Sequence, residues 1–312
     1  MSLPAKVRNG NMPKSRSSRL GSADIAALLG LDDAFESPYS LWWRKTQKIE
    51  DGEETAAMRW GKWLEPLILG EYQHRTGAEL VSFQAHHEFK PWPVASATLD
   101  AIEIENDQAI DIEAKTTRDY RWEELPVPYL AQMQWQLGVS GLKQAKAVVF
   151  YKPKTDIDIF VVDFDQAIFD RMIELAREFW DKHVLTGVPP EADGHEATTR
   201  TLKRIEATGG EIDMDQLAPV VAELAGVKAA RKQLEEHEDT LENRIKAYLG
   251  NCTVGTIEGK PAATWKATKS SRVDTKAMES EYPEIVAKFR IESESRRFVI
   301  TKAFLTVKKE GE

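Results

Sequence analysis

Between Thr98 and Lys115 the chain reads as strand, turn and strand, with Asn106-Asp107 at the turn. Asn and Asp tolerate the left-handed backbone that a tight hairpin needs. A hairpin here commits the chain to a sheet and sets Asp100 across from Glu113 and Lys115. Side chains alternate along a strand, so Glu113 and Lys115 share a face while Ala114 points the other way. Asp100 is expected at the end of a strand over Val94–Leu99, with Ile102–Glu105 and Ala109–Lys115 forming the hairpin proper.

A carboxylate from one strand and a carboxylate–lysine pair from the next can converge on one point. Clustered hard oxygens suit a divalent cation, and a lysine beside them can orient a water for phosphodiester cleavage. Apolar residues flank the pair (Ala109, Ile110, Ala114), as a strand buried on one face requires. Acids buried there are tolerated only if a cation or each other's partners compensate them. From spacing alone, a structural Lys–Glu pair on an exposed strand explains the residues equally well.

The 312 residues are 42% hydrophobic and 30% charged, enough for one large domain and a smaller one. No apolar run approaches a membrane span, and no secretory signal opens the chain, so a soluble cytoplasmic protein is expected. The single cysteine, Cys252, excludes a disulfide framework and Cys-rich metal sites. A net charge of −9 argues against a general nucleic-acid coat, but not against a local basic patch.

Residues 1–20 carry five basic residues and no acid, and are expected to form a flexible basic arm. Ser22–Leu29 reads as a short helix closed by Gly30. Its N-terminus, next to Arg19 and Ser22, suits a phosphate or merely an ordinary cap. Ser37-Pro38-Tyr39 opens a second helix whose end is made positive by Arg44, Lys45 and Lys48. A longer helix over 60–75 carries an apolar stripe of Trp60, Trp63, Leu64, Leu67, Ile68 and Tyr72, with Glu65 beside it. Short strands are expected at Glu79–Phe83 and His87–Lys90. His86 and His87 are adjacent, so they point to opposite faces and make a poor metal pair. A helix over Tyr129–Leu142 places Gln132 and Gln136 on one face. A hairpin of Ala145–Tyr151 and Asp158–Val162 follows, then an amphipathic helix over 165–185.

Residues 21–190 are thus expected to form the core, and 191–213 a linker. Residues 214–312 are expected to form an accessory module: a long helix with apolar positions at near-3.5 spacing, a hairpin, a helical segment and a closing strand at Arg297–Thr301. The module's basic residues and Trp265 allow non-specific nucleic-acid contact.

The order of motifs resembles the YqaJ-like phage recombination exonucleases, within the restriction-endonuclease-like PD-(D/E)XK superfamily. The motifs are Arg19-Leu-Gly-Ser-Ala-Asp-Ile-Ala-Ala-Leu-Leu-Gly30, Ser37-Pro-Tyr-Ser-Leu-Trp42, Gly61-Lys-Trp-Leu-Glu-Pro66, Ala97-Thr-Leu-Asp100, Ile112-Glu-Ala-Lys115 and Tyr129-Leu-Ala-Gln-Met-Gln134. The resemblance implies an α/β fold: a restriction-endonuclease-like core with a mixed central β-sheet flanked by helices. It implies Mg²⁺ or Mn²⁺ on Asp100, Glu113 and the Ala114 carbonyl, joined by Glu65 when a second metal binds. Lys115 would orient or deprotonate the attacking water, and Gln132 and Tyr129 would support the site. Arg19, Ser22 and Thr98 would hold a 5′-phosphate, and Met58 would stand as the wedge that splits the terminal base pair. The family usually has Ser immediately before the acid that is Asp24 here; this chain has Ala23, with Ser22 one step earlier.

The implied activity is Mg²⁺-dependent 5′→3′ degradation of linear double-stranded DNA, acting at DNA ends. The implied partners are a phage single-strand annealing protein and further copies of the chain in a ring-shaped trimer, with no membrane. A related structure-specific DNA endonuclease, and a non-catalytic DNA-binding or scaffold protein, are the alternatives.

Overall fold

The structure is a computed structural model that describes residues 16–31, 33–47, 55–291 and 296–301. The chain divides into two compact units, Met1–Ile205 and Glu206–Glu312.

In the first unit a five-stranded sheet has the order β1 (Glu79–Glu88), β2 (Ser96–Glu105), β3 (Gln108–Thr117), β4 (Gln144–Tyr151) and β5 (Asp156–Asp163). All neighbours are antiparallel except β3 and β4, which run parallel. A parallel neighbour needs a crossover, and helix α4 (Val127–Ser140) supplies it. Pro128 sits in the first turn of α4, where its missing N–H costs nothing, and Gly141 ends it at φ 82°. The β2–β3 turn is made by Asn106 (φ 51°) and Asp107 (φ 62°), both left-handed as the sequence implies. This mixed sheet flanked by helices is the core expected from the resemblance.

Among the described residues, α1 (Ile25–Leu28), α2 (Pro38–Thr46) and α3 (Ala56–Thr76) precede the sheet. On one face α3 lays Ile68, Leu69 and Tyr72 over Ala101, Ile110, Ile112 and Val148. On the other, α4 lays Met133 and Leu137 over Ala145, Ala147 and Val149. Behind α4, its Trp135 and Val139 pack with α1, α2 and helix α5 (Gln166–Phe179). Trp135 is fully buried, and its indole N–H donates to the Ser96 carbonyl at 3.0 Å. Gly138 lets α5 approach, since a Cβ there would lie 2.1 Å from the Phe169 ring.

The feature that makes a site is a fork. Pairing between β2 and β3 runs from Glu105 opposite Gln108 back to Ala101 opposite Ile112, and stops there. Beyond it β2 stays with β1 as far as Ser96, and β3 stays with β4 as far as Thr117. The two strands therefore part, and side chains rather than backbone bonds link them from there on.

Several expectations are corrected. Asp100 does not end a strand; it lies within the continuous β2. Glu79–Phe83 and His87–Lys90 are not separate strands, because β1 runs through both to Glu88. Trp60, Trp63 and Leu67 are exposed, and α3 buries Ile68, Leu69 and Tyr72 instead. The apolar stripe is thus split between a buried half and an exposed half. The expected helix over Ser22–Leu29 is a 3₁₀ turn (Ser22–Asp24) followed by only four α-helical residues. Residues 16–20 of the expected arm are anchored, since Leu20 is fully buried and bridges to Ala95; residues 1–15 lie outside the described residues. Within the expected linker, α6 (Glu196–Leu202) packs on α2, with the Thr198 hydroxyl 2.6 Å from that of Ser37.

The second unit contains α7 (Ala218–Leu249), the hairpin of β6 (Val254–Ile257) and β7 (Lys260–Thr264), α8 (Thr275–Glu281) and α9 (Pro283–Phe289). The seam residues Val220, Val227, Leu234 and Leu241 are exposed along α7. Residues 297–301 are irregular rather than a strand. Among the described residues, no helix is long and apolar enough to cross a membrane.

Candidate active site

The fork gathers most of the residues singled out from the sequence. Glu113 and Lys115 project from the same face of β3, with Lys115 Nζ 2.6 Å from Glu113 Oε1. α4 closes over them. Gln132 accepts from Lys115 Nζ at 3.0 Å and donates to Glu113 Oε1 at 2.7 Å. One turn on, Gln136 donates to Glu113 Oε2 at 2.7 Å. Both glutamines thus grip the one carboxylate, as their four-residue spacing allows. Tyr129 lies on the same helix, its ring centroid 5.1 Å from Lys115 Nζ.

Asp100 sits where the ladder ends. Its Oδ2 accepts from the Ala114 N–H at 3.0 Å, standing in for the missing strand partner. Its Oδ1 accepts from the Gln84 amide at 3.3 Å, and the same nitrogen donates to Glu65 Oε1 at 2.7 Å. Glu65 thereby reaches the group from α3, one residue before Pro66. A proline inside a helix removes a backbone bond and costs about 3 kcal/mol where nothing compensates it. Pro66 therefore gives α3 a locally weakened turn right after this acid.

The electrostatics are those of an acid cluster with too little positive charge. Burial, then Glu113 and Glu65, push the Asp100 carboxyl well above the ordinary carboxylate range, against Lys115 and the Ala114 N–H. Burial alone would lower the Lys115 pKa, but Glu113 and Asp100 outweigh it, so Lys115 is held charged. Asp111, two residues before Glu113 on β3, is fully buried with both oxygens unpartnered, and its pKa is raised by burial and then by Glu113.

The donors fit a hard divalent cation in kind: Asp100, Glu113 and Glu65 offer carboxylate oxygens, and Ala114, next to Glu113 in the chain, offers a backbone carbonyl. Burial first, and then the neighbouring Glu113 and Glu65, disfavour the ionised form of Asp100. Among the described residues no three acids are already drawn together closely enough to hold an ion. Glu113 is engaged by Lys115, Gln132 and Gln136, and Asp100 by Ala114 and Gln84.

A second cluster lies one step back along β2. Thr98 Oγ1 is 3.2 Å from His86 Nδ1, and Arg19 Nη1 is 3.3 Å from His86 Nε2. Arginine can only donate, so Nε2 accepts, and the neutral ring carries its proton on Nδ1. Burial and then Arg19 lower the His86 pKa, which favours that neutral form. Nδ1 therefore donates to Thr98, whose own hydroxyl hydrogen is left to point elsewhere. Arg19 is fixed from behind, because Leu20 bonds to Val94 and Ser96 across the backbone and Lys45 donates to the Arg19 carbonyl at 2.6 Å. Ser22 lies in the adjacent 3₁₀ turn and, among the described residues, makes no side-chain hydrogen bond to this cluster. The backbone N–H of Gly21, in front of that turn, is taken by Asp24 at 2.8 Å. With only a four-residue helix behind it, the segment has no helix N-terminus to offer a phosphate. Met58 is exposed in the first turn of α3, 7 residues before Glu65.

Sequence reasoning passed over two residues of this region. In sequence His86 is half of a poor metal pair, yet pointing away from His87 is what lets it face Arg19 and Thr98. Gln84 carried no motif at all. Lys45, expected on a positive helix face, is instead buried; Lys48, expected beside it, lies outside the described residues.

Residues 13–143 match the YqaJ-like viral recombinase domain. The chain is also 30% identical over 294 residues to the uncharacterized protein YqaJ of Bacillus subtilis (strain 168), covering 90% of each. The chain belongs to the YqaJ-like viral recombinase family. With the family shown, it is a nuclease, as the resemblance implied. Among solved structures, the alkaline exonuclease LHK-Exo of Laribacter hongkongensis is similar at 16% identity and a TM-score of 0.45, over 55% of this chain and 91% of that one. A phage related exonuclease from Haemophilus somnus 129PT is similar at 11% identity and a TM-score of 0.43, over 54% and 96%.

Proposed function

We propose that this nuclease is a Mg²⁺- or Mn²⁺-dependent exonuclease that degrades linear double-stranded DNA in the 5′→3′ direction. The product is a 3′ single strand for a phage-type single-strand annealing protein, in a bacterial cytoplasm. The observation that carries the chemistry is the convergence of Asp100, Glu113 and Lys115 on the β2–β3 fork, with Gln132 holding the last two in register.

When bound, the divalent cation polarises the scissile phosphate and lowers the pKa of a water. Asp100, Glu113 and the Ala114 carbonyl would hold it, with Glu65 as a further ligand. Lys115 holds a water by its charged ammonium, aimed at phosphorus by Glu113 and Gln132. Tyr129 packs over that ammonium and limits its swing. Gln136 fixes the other Glu113 oxygen, so the carboxylate keeps one orientation.

Polarity rests on the second cluster. Arg19, the Thr98 hydroxyl and His86 form a cationic and donor-rich group beside the fork, suited to the doubly charged phosphate of a 5′ end. Ser22 completes it only if the 3₁₀ turn shifts. Met58, exposed on the same helix as Glu65, would part the terminal base pair. A ring of three copies would keep such an enzyme on its substrate.

A linear duplex labelled separately at each end tests the reading. Release of the 5′ label first, only with Mg²⁺ or Mn²⁺, is expected. Loss of the 5′-phosphate requirement in Arg19→Ala is expected as well. Cleavage of a closed circle at the same rate would instead identify an endonuclease.

A further inference from the structure

Gln84 breaks the pattern of β1. The residues on either side of it pair normally, Phe83 with Ala101 and Ala85 with Leu99. Between them Gln84 takes φ 54°, left-handed backbone that a side-chain-bearing residue avoids within a strand. No turn or loop calls for it. Left-handed residues that the local structure does not need concentrate where a side chain must be aimed. Here the side chain is aimed at two acids from two other elements: Glu65 of α3 at 2.7 Å and Asp100 of β2 at 3.3 Å.

Two carboxylates drawn to one amide repel each other unless something neutral or positive stands between them. A neutral amide with two N–H groups can bridge them without adding charge. We infer that Gln84 is a positioning residue of the candidate metal centre: its strained backbone and bridging amide hold Glu65 of the helix beside Asp100 of the sheet. The inference rests on the metal-dependent reading above. Glu65 is the one acid of the group that comes from outside β2 and β3, so its place is the least determined by the sheet. Gln84 supplies that determination from β1.

The test is Mn²⁺ binding to the full chain, followed calorimetrically and by the loss of the free-ion electron paramagnetic signal. Gln84→Ala and Gln84→Gly are compared with the wild type. Outer partners of metal ligands typically contribute 10- to 100-fold in affinity, so both variants are expected to bind Mn²⁺ about tenfold more weakly. Glycine accepts the left-handed backbone without strain, so Gln84→Gly is expected to bind metal worse while melting at an equal or higher temperature. Cleavage by both variants is expected to recover as Mg²⁺ is raised.

Isotherms of both variants that overlay the wild type would overturn the inference and leave the metal reading standing. Weakening in Gln84→Ala but not in Gln84→Gly would also overturn it, since the backbone and not the amide would then be responsible. A wild-type chain that takes up no Mn²⁺ would remove the metal reading and the inference together.

Discussion

Two clusters in the first unit are each built around a withdrawn lysine, and they are balanced differently. In one, Lys45 donates to Asp24 at 2.6 Å and to the carbonyls of Arg16 and Arg19 at 2.8 and 2.6 Å. Arg44 adds bonds to Asp24 at 2.7 Å and to Glu36 at 2.6 and 3.0 Å. Two cations meet two acids. Burial would raise the Asp24 pKa, but Lys45 and Arg44 outweigh it and hold the carboxyl below its ordinary range. In the other, Lys115 bonds to Glu113, while Asp100 is linked through Gln84 to Glu65, and there burial and then the neighbouring acids push the Asp100 carboxyl up. A balanced cluster is finished when the chain folds. An over-acidic one is finished only when something positive arrives, and that difference separates an anchor from a site.

The sharpest break in the comparison is to remove each lysine. Lys115→Ala is expected to lower the cleavage rate by roughly 10²–10⁴-fold, as loss of a positioned proton-transfer or water-orienting group does. DNA binding, measured by anisotropy, is expected to stay close to wild type. Full activity in that variant would remove the proposed centre. Lys45→Met is expected to act on the fold instead, costing about 3 kcal/mol in chemical denaturation by leaving buried Asp24 with Arg44 as its remaining cation and two carbonyls without their donor. If it folds at all, its cleavage should lose the 5′-phosphate preference before it loses rate, because Lys45 holds the Arg19 backbone.

Only one of these two lysines was legible in the sequence. Lys115 stands two residues from Glu113 on a strand whose period is fixed, so its neighbour followed from geometry. Lys45 stands near the end of a helix, where a lysine is ordinarily solvated, and nothing local announces that the Arg16–Leu20 segment folds back over it. The hairpin, α3, α4 and the Gln132–Gln136 face were readable because each depends on residues a few positions apart. The fork, the left-handed Gln84 and the link from His86 to Arg19 were not, because each depends on contacts between distant strands. Trp60 and Trp63 show the opposite failure: a helical period finds an apolar stripe but does not say which part of it is covered.

Adding the missing charge should close the gap between the clusters. A divalent cation that binds only the folded chain stabilises it by about 2.7 kcal/mol when present at 100 times its dissociation constant. Mg²⁺ or Mn²⁺ is therefore expected to raise the melting temperature of the wild type, and to leave Glu113→Ala nearly unmoved. Equal shifts in both would place the ion somewhere other than the fork.

The smallest effect is the most specific, because the two aspartates should respond to pH with opposite signs. An unfolded aspartate titrates near 3.9. Asp24 titrates lower in the fold, so its contribution is present above about 4 and lost as the pH falls through its depressed value. Asp100 titrates higher in the fold, so the ion-free fold binds a proton that the unfolded chain has released. Its contribution is present below about 4 and lost as the pH rises to its elevated value. Asp100→Asn removes that loss along with the activity. Without divalent ions at pH 8 it should be more stable than the wild type by about 1 kcal/mol, the usual scale of an active-site trade-off. The difference should narrow as the pH is lowered toward 4, and Mg²⁺ should reverse it by stabilising the wild type alone. An Asp100→Asn chain that is less stable than the wild type at pH 8 without ions would mean that the fork is already balanced, and the contrast with Lys45 would fail.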